Sequence, residues 1–442
     1  MNRQKFSSVK DSFLQRRYGV SLGRRYVLAA ASVVLFSVLG CSQVDTKTSA
    51  LAQSGLSQPE PSLQKKTVVP NTKVVDANNK FAFKLFSEVV KQESNAKNIS
   101  VSPTSVAIAL AMTYNGASGS TQKAMAKTLE LQGIALPELN SAYAELNRLL
   151  QNPEENVQLT IANSLWVNKN ISLRPDFLQR NRDFYQAKVS NLDFQDPNAT
   201  NIINNWVKDN TKGKINNIVD TIEPNQALFL INAIYFKGQW SQKFDKSQTK
   251  PQTFYAASGQ QKQHPMMSQT GEYRYYETPQ FQAVSLPYGQ TRKVSLYIFL
   301  PKQNSNLKAF YQNLNPKNWD KWLSEFSQRD GSITLPRFQS DYETSLNDTL
   351  KALGMGEAFT NKADFSGIGD KLAISQVKHK TVIEVNEEGT EASAATSVGI
   401  VATSLRQPQP PFQMVVNRPF FYAIRDNQSK NILFMGSVDD PV

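Results

Sequence analysis

The run Leu228-Phe-Leu-Ile-Asn-Ala-Ile-Tyr-Phe236 holds one strongly polar side chain, Asn232. A continuous apolar run of this length, rich in β-branched and aromatic residues, is a strand covered on both faces. The sheet it belongs to therefore needs packing layers above and below. Extended segments also read at 157–167, 294–300, 331–338, 373–385, 412–416, 420–425 and 432–438. Helical periodicity is clearest earlier. Over 77–92, Phe81, Leu85 and Val89 form one stripe with Phe86 and Val90 beside it. Residues 103–114 are short and alanine-rich, which suits a helix buried beneath a sheet. Residues 200–211 place Ile203, Trp206 and Val207 inward and stop at Gly213. Helices first and strands later give an α+β architecture without internal repeats.

The 442 residues suffice for one large domain with extra segments, and 24 phenylalanines supply a core. Two histidines and one cysteine leave little room for side-chain chemistry. His264 lies in a polar segment and His379 ends the run Gln376-Val-Lys-His379. Neither is accompanied by a nucleophile-elbow motif, so no Ser-His-Asp triad is legible. Two distant histidines make no zinc site. Gly116-Ala-Ser-Gly119 and Gly354-Met-Gly356 are too short to cradle a phosphate. No enzyme site, metal site or cofactor is expected.

The net charge of +12 is concentrated at the start. Residues 1–40 carry seven basic side chains and one acidic one, half of that excess. No basic run marks the remainder, so nucleic acid is not an expected partner. Arg24-Arg25 precedes the apolar run 26–39, too short to span comfortably as a permanent helix. The run ends in Val38-Leu39-Gly40-Cys41, which resembles a bacterial lipoprotein processing box. Residues 1–40 are then a signal peptide and Cys41 a lipidated N-terminus. A lone thiol offers an exported chain nothing structural. Residues 41–75, rich in Ser, Thr, Gln and Pro, read as a flexible tether to a lipid membrane. The protein is expected outside the cytoplasm, anchored at the cell envelope (periplasm, outer membrane or cell surface) or extracellular. Ser42 after Cys41 favours outer-membrane sorting.

One segment near the C-terminus behaves differently from the strands around it. Glu387-Glu388-Gly389-Thr390-Glu391-Ala392-Ser393-Ala394-Ala395-Thr396 follows the strand-like run 380–385. At a period of two, Thr390, Ala392, Ala394 and Thr396 share one face, all small and uncharged. Gly389 is a pivot, and no proline blocks backbone pairing from Gly389 to Thr403. The segment has the composition both of an exposed loop and of a strand inside a sheet.

This hinge resembles that of the inhibitory serpins: an acidic pair, Gly, Thr or Ser, Glu, then alanines. Further motifs follow in the family's order. They are Asn98-Ile-Ser-Val-Ser102-Pro103-Thr-Ser105, Asn232-Ala-Ile-Tyr-Phe236-Lys237-Gly238-Gln-Trp240, and Leu335-Pro336-Arg337-Phe338. Ala363-Asp364-Phe365-Ser366, Asn417-Arg418-Pro419-Phe420 and Phe434-Met435-Gly436 complete the series. The resemblance covers 76–442. It implies a large central sheet, two smaller sheets, eight or nine helices and an exposed reactive-centre loop over about 387–411.

The resemblance also implies a function: a monomeric suicide inhibitor of serine proteases. Counting from Gly389 along the family pattern puts the scissile bond between Thr403 and Ser404. The longer tail Gln407-Pro408-Gln-Pro410-Pro411 leaves Leu405 and Arg406 as alternative scissile residues. Thr403 after Val401-Ala402 points to elastase-like or subtilisin-like targets, and the same loop mechanics admit a cysteine protease. After acylation, residues 390–403 would enter the central sheet. Fourteen residues at ~3.3 Å each span ~46 Å. Some ten new backbone hydrogen bonds at about 0.5–1.5 kcal/mol each give a gain on the order of 10 kcal/mol. The uncut state is then kinetically trapped. By the same resemblance Ser102, Ser105, Asn232 and His379 form a buried polar cluster under the central strands. Arg337 and Glu387 form a surface salt bridge at the sheet top, worth ~0–1 kcal/mol. A non-inhibitory, surface-tethered binding protein on the same fold is the alternative.

Overall fold

The computed structural model describes residues 71–93, 98–151, 153–390 and 410–442. Among these are nine α-helices and two sheets, an α+β architecture. The covered strand is Leu228–Gln239, the hub of a six-stranded sheet. It pairs antiparallel with Val157–Asn168 on one side and parallel with Gln376–Val385 on the other. Phe338–Ser345 and Lys188–Leu192 form the two edges. A two-residue strand, Gly389–Thr390, pairs antiparallel with the end of Leu228–Gln239.

Both faces of the hub strand are covered, as the apolar run required. Leu228, Leu230, Ile234 and Phe236 face the main core, which includes the helix Pro103–Tyr114. All twelve residues of that helix are buried, and its many small side chains permit the close approach. Phe229, Ile231, Ala233 and Tyr235 face a second core beneath the helix Ala199–Asn210. Ile203 and Val207 point into it as expected, but Trp206 is only half-buried, edge-on to Trp166 at 6.1 Å. Asn204 is buried instead, because its Oδ1 accepts the backbone N–H groups of Ile218 and Val219 at 3.0 and 3.1 Å.

The first helix, Thr72–Gln92, starts ahead of the stripe read over 77–92. Asn71 caps it, its Oδ1 accepting from the N–H of Lys73 and Val74. Val74 and Val75 are buried, so residues 72–75 belong to the folded body rather than to the tether.

The expected smaller sheets share the strand Gln261–Glu277. One half of it pairs with Lys250–Tyr255, the other with Phe281–Tyr288, and Ser327–Pro336 runs alongside. Hydrogen bonding therefore joins them into one nine-stranded sheet. The sequence hides this strand, because polar residues and Pro265 break its pattern. The single segment read over 331–338 is two strands. Ser327–Pro336 lies in the nine-stranded sheet and Phe338–Ser345 in the six-stranded one. Arg337 sits at the crossing.

Candidate functional site

At the top of the six-stranded sheet, the strand Gln376–Val385 leads into a tight hairpin. The N–H of Asn386 donates to the Gly389 carbonyl at 2.8 Å and the N–H of Gly389 donates back at 3.2 Å. Gly389 has φ +132°, and a Cβ there would lie 2.1 Å from the Gly238 carbonyl oxygen, so only glycine fits. The turn carries the chain straight into pairing, with Gly389 opposite Gln239 and Thr390 opposite Gly238. Thr390 is fully buried, its hydroxyl 3.1 Å from that of Tyr288.

Trp240 holds this hairpin from beside it. Its backbone N–H donates to the Glu388 carbonyl at 3.0 Å, and its indole N–H donates to the Asn386 carbonyl at 2.9 Å. Its ring stacks on Tyr288 at 4.4 Å. The N–H of Phe244 donates to the Glu387 carbonyl at 3.0 Å. The backbone groups of the turn are thus satisfied by a short segment that begins where the hub strand ends.

The acidic pair is held by charge. Arg337 Nη2 lies 2.5 Å from Glu387 Oε1, its Nε donates to the same oxygen at 2.7 Å, and the Thr249 hydroxyl adds a third contact. Glu387 is only 3% exposed while Arg337 is 44% exposed, so the pair is not the surface bridge expected from sequence. The crossing at Arg337 brings the guanidinium over a carboxylate the hairpin has already buried. Burial opposes the charged form of Glu387, but the bonds from Arg337 and Thr249 outweigh it and hold the carboxyl below its usual range. Glu388 is lowered by hydrogen bonds from Lys243 and Lys246, at 2.7 and 3.0 Å.

Lower in the same sheet, Ser102, Ser105, Asn232 and His379 come together. His379 and Asn232 are register partners on adjacent strands. Ser102 N–H donates to His379 Nε2 at 3.0 Å, so Nδ1 carries the proton and donates to Asn232 Oδ1 at 2.6 Å. Asn232 Nδ2 donates to the Ser105 hydroxyl and to Asn163 Oδ1. The Ser102 hydroxyl turns away and donates to the Leu433 carbonyl at 2.6 Å. All five residues are buried. Burial pushes the His379 imidazole down to about 3, so it is neutral.

Sequence reasoning missed several members of these constellations. Asn163 stands opposite Asn232 in register. Thr249, Tyr288, Lys243 and Lys246 reach the hairpin from segments that carry no motif. Only the strand pairing of 157–167 with 228–236 could have pointed to Asn163. Glu391, Ala392, Ser393, Ala394, Ala395 and Thr396 lie outside the described residues, as do Thr403, Ser404, Leu405, Arg406 and Cys41. His264 is buried in the strand Gln261–Glu277, with Nε2 against the Arg337 carbonyl at 2.6 Å. Among the described residues, no group of His, Cys, Asp and Glu is placed to hold a metal ion. Among them also, no helix is long and apolar enough to cross a membrane.

Residues 76–441 match the family model described as "Serpin (serine protease inhibitor)". An uncharacterised serpin-like protein of Thermococcus kodakarensis is 37% identical over 377 residues, covering 83% of this chain and 86% of its own. Glia-derived nexin of Mus musculus is 33% identical over 375 residues, covering 81% and 91%. Among solved structures, the thermophilic serpin tengpin in its native state superposes with a TM-score of 0.76 at 32% identity, covering 85% of this chain and 95% of that one.

Proposed function

The chain belongs to the serpin family, and we propose that it acts as a single-use inhibitor of serine proteases. One observation carries this reading. Gly389 and Thr390 already pair antiparallel with the hub strand, at the mouth of a parallel pair, Leu228–Gln239 with Gln376–Val385. A strand entering between that pair, running back from the hairpin, exchanges one parallel interface for two antiparallel ones. Antiparallel pairing is slightly more stable per residue. The hairpin that starts such a strand is made, and its first inward side chain, Thr390, is buried.

In this reading the loop over about 387–411 is bait. A protease attacks the Thr403 carbonyl, the peptide bond to Ser404 breaks, and an acyl-enzyme forms. Cleavage frees the N-terminal side of the loop from its second attachment, and residues 390–403 enter the sheet with the enzyme attached. Small side chains at 390, 392, 394 and 396 fit the packed face. The mid-sheet cluster must exchange partners as the strands part, because His379 and Asn232 span that interface. Elastase-like or subtilisin-like enzymes are the proposed targets, with Leu405 and Arg406 as alternative cleavage residues. We extend the proposal to the leader: residues 1–40 are removed, Cys41 is lipidated, and the domain is held at a membrane outside the cytoplasm.

The test mixes protein beginning at Lys66, which keeps the Asn71 cap and the buried Val74 and Val75, with elastase-, subtilisin-, chymotrypsin- and trypsin-like proteases. The expected product is an SDS-resistant complex, with a released C-terminal peptide beginning at Ser404. Cleavage by all four without a complex sinks the inhibitory reading and leaves a non-inhibitory binding protein. Mass spectrometry of the protein made with its leader tests the lipid on Cys41.

A further inference from the structure

The segment that clamps the hairpin has a second side. Trp240, Phe244 and Tyr273 help line a cavity of about 350 Å³, near the lower end of the range for small-molecule sites. Three arginines converge on the same cavity: Arg274, Arg292 and Arg425. One carboxylate, the exposed Glu272, is the only acidic group on its wall, so the lining carries net positive charge.

None of the three guanidinium groups has a salt-bridge partner among the described residues. Arg274 donates to the Leu323 carbonyl at 3.3 Å and lies over the Phe326 ring. Arg425 has one long contact, 3.4 Å to Asn427 Oδ1, and its Nε–H is enclosed without a partner. A buried donor left unmade is costly, and a guanidinium offers a planar fork that matches the oxygens of a carboxylate, sulfonate or phosphate. A lining that combines aromatic rings with forked cations suits a ligand with a flat apolar body and one anionic head.

Such a ligand would touch the clamp from behind. Trp240 faces the cavity and also bonds Asn386 and Glu388, while Phe244 faces it and also bonds Glu387. We propose that this cavity binds a small organic anion, and that its occupancy is coupled to the hold of Trp240 and Phe244 on the first residues of the loop. The site stands independently of the inhibitory reading; only an effect on protease trapping rests on it.

The test titrates the full chain with 8-anilinonaphthalene-1-sulfonate, with uncharged 1-anilinonaphthalene and inorganic sulfate as comparison probes. The expected result is one saturable site for the sulfonate, with each comparison probe much weaker. Arg425→Met is expected to weaken the sulfonate about tenfold or more, the loss of a charge-assisted hydrogen bond. Arg274→Ala and Arg292→Ala, at exposed positions that do not threaten folding, are expected to weaken it about two- to fivefold each. Equal affinity in all three variants, or equal affinity for the uncharged probe, overturns the site. Coupling is reciprocal, so Thr390→Arg, which cannot keep the hairpin buried, is expected to change sulfonate affinity about fivefold or more. An unchanged affinity in Thr390→Arg, with binding otherwise as expected, overturns the coupling. The protease-complex assay above reports on inhibition separately.

Discussion

Two polar constellations lie along the same hub strand and are built on opposite principles. The mid-sheet cluster around His379 and Asn232 is neutral and fully buried, with each imidazole nitrogen bonded. The sheet-top clamp around Glu387 and Glu388 is charged, and its cations reach solvent: Arg337 is 44% exposed and Lys246 65%. Water can replace a partner at the top but not in the middle. In the proposed insertion mechanism, the centre is therefore the expensive place to open the sheet, and the top is the place where opening would start.

The largest test of that contrast is Thr390→Arg. It places a cation where a fully buried hydroxyl meets Tyr288, and a buried unpaired charge is not tolerated. The hairpin must leave the sheet. We expect covalent complex formation to be lost while loop cleavage continues. Persistent complex formation by this variant would mean that entry does not begin at the hairpin.

Second in size is His379→Ala. It orphans Asn232 Oδ1 and the Ser102 N–H inside the core and leaves a cavity, and should cost about 3 kcal/mol in urea unfolding. Third is Arg337→Ala. It leaves the Glu387 carboxylate buried with the Thr249 hydroxyl as its remaining side-chain partner, but solvent screens the loss because the arginine is half in water. The expectation is about 2 kcal/mol, less than for a fully buried pair. If Arg337→Ala proves costlier than His379→Ala, the distinction between a locked centre and a releasable top collapses.

How much of this was legible depends on what each residue type must do. The apolar run 228–236 could be only a covered strand, and the all-buried helix 103–114 followed from its alanines. The association of His379 with Asn232 is implied by the family resemblance alone, because nothing in the local pattern of either strand brings the two together. Asn163 was not legible, because only strand register puts it opposite Asn232. Arg337 and Glu387 meet in the structure as a buried carboxylate under a half-exposed arginine, not as the surface pair that the sequence suggests. Burial of Glu387 comes from the hairpin and from the segment after Trp240, long-range features that local pattern does not encode. The strand Gln261–Glu277 was hidden for a related reason. It pairs with three strands over different parts of its length, so no single alternation runs along it.

Acid separates the two regions again. His379 titrates at about 3 in the folded state against an ordinary value near 6.5, so the unfolded chain binds the extra proton between those values. Stability from this group is full above about pH 6.5 and falls as pH drops towards 3. Glu387 is lowered, so its contribution is present above the ordinary carboxylate range and lost only as pH falls below it. Asp439, raised by burial to about 6, works in the opposite sense over part of this range. A comparison with His379→Gln cancels it. Between pH 6.5 and 5 the wild type should lose about 1.5 kcal/mol more than His379→Gln. Parallel pH profiles would place the imidazole's protonation outside the folding equilibrium.

The smallest effect sharpens the contrast most. Glu388 is held by two lysines of unequal exposure, Lys243 at 24% and Lys246 at 65%. Lys246→Ala removes a screened partner while Lys243 remains, so the equilibrium cost should stay below about 0.5 kcal/mol. A kinetic readout is the more sensitive one. If the top is where opening starts, a change too small to register in urea unfolding should still raise the rate of loop insertion after cleavage, measured as the rate at which heat stability is gained once a protease has cut the loop. The same small equilibrium change placed in the centre, for example Ser105→Ala, removes a hydrogen bond that Asn232 can partly redirect to the backbone carbonyl of residue 105, already 3.3 Å away. It should leave the early opening rate unchanged, because the strands part there only after the hairpin has moved.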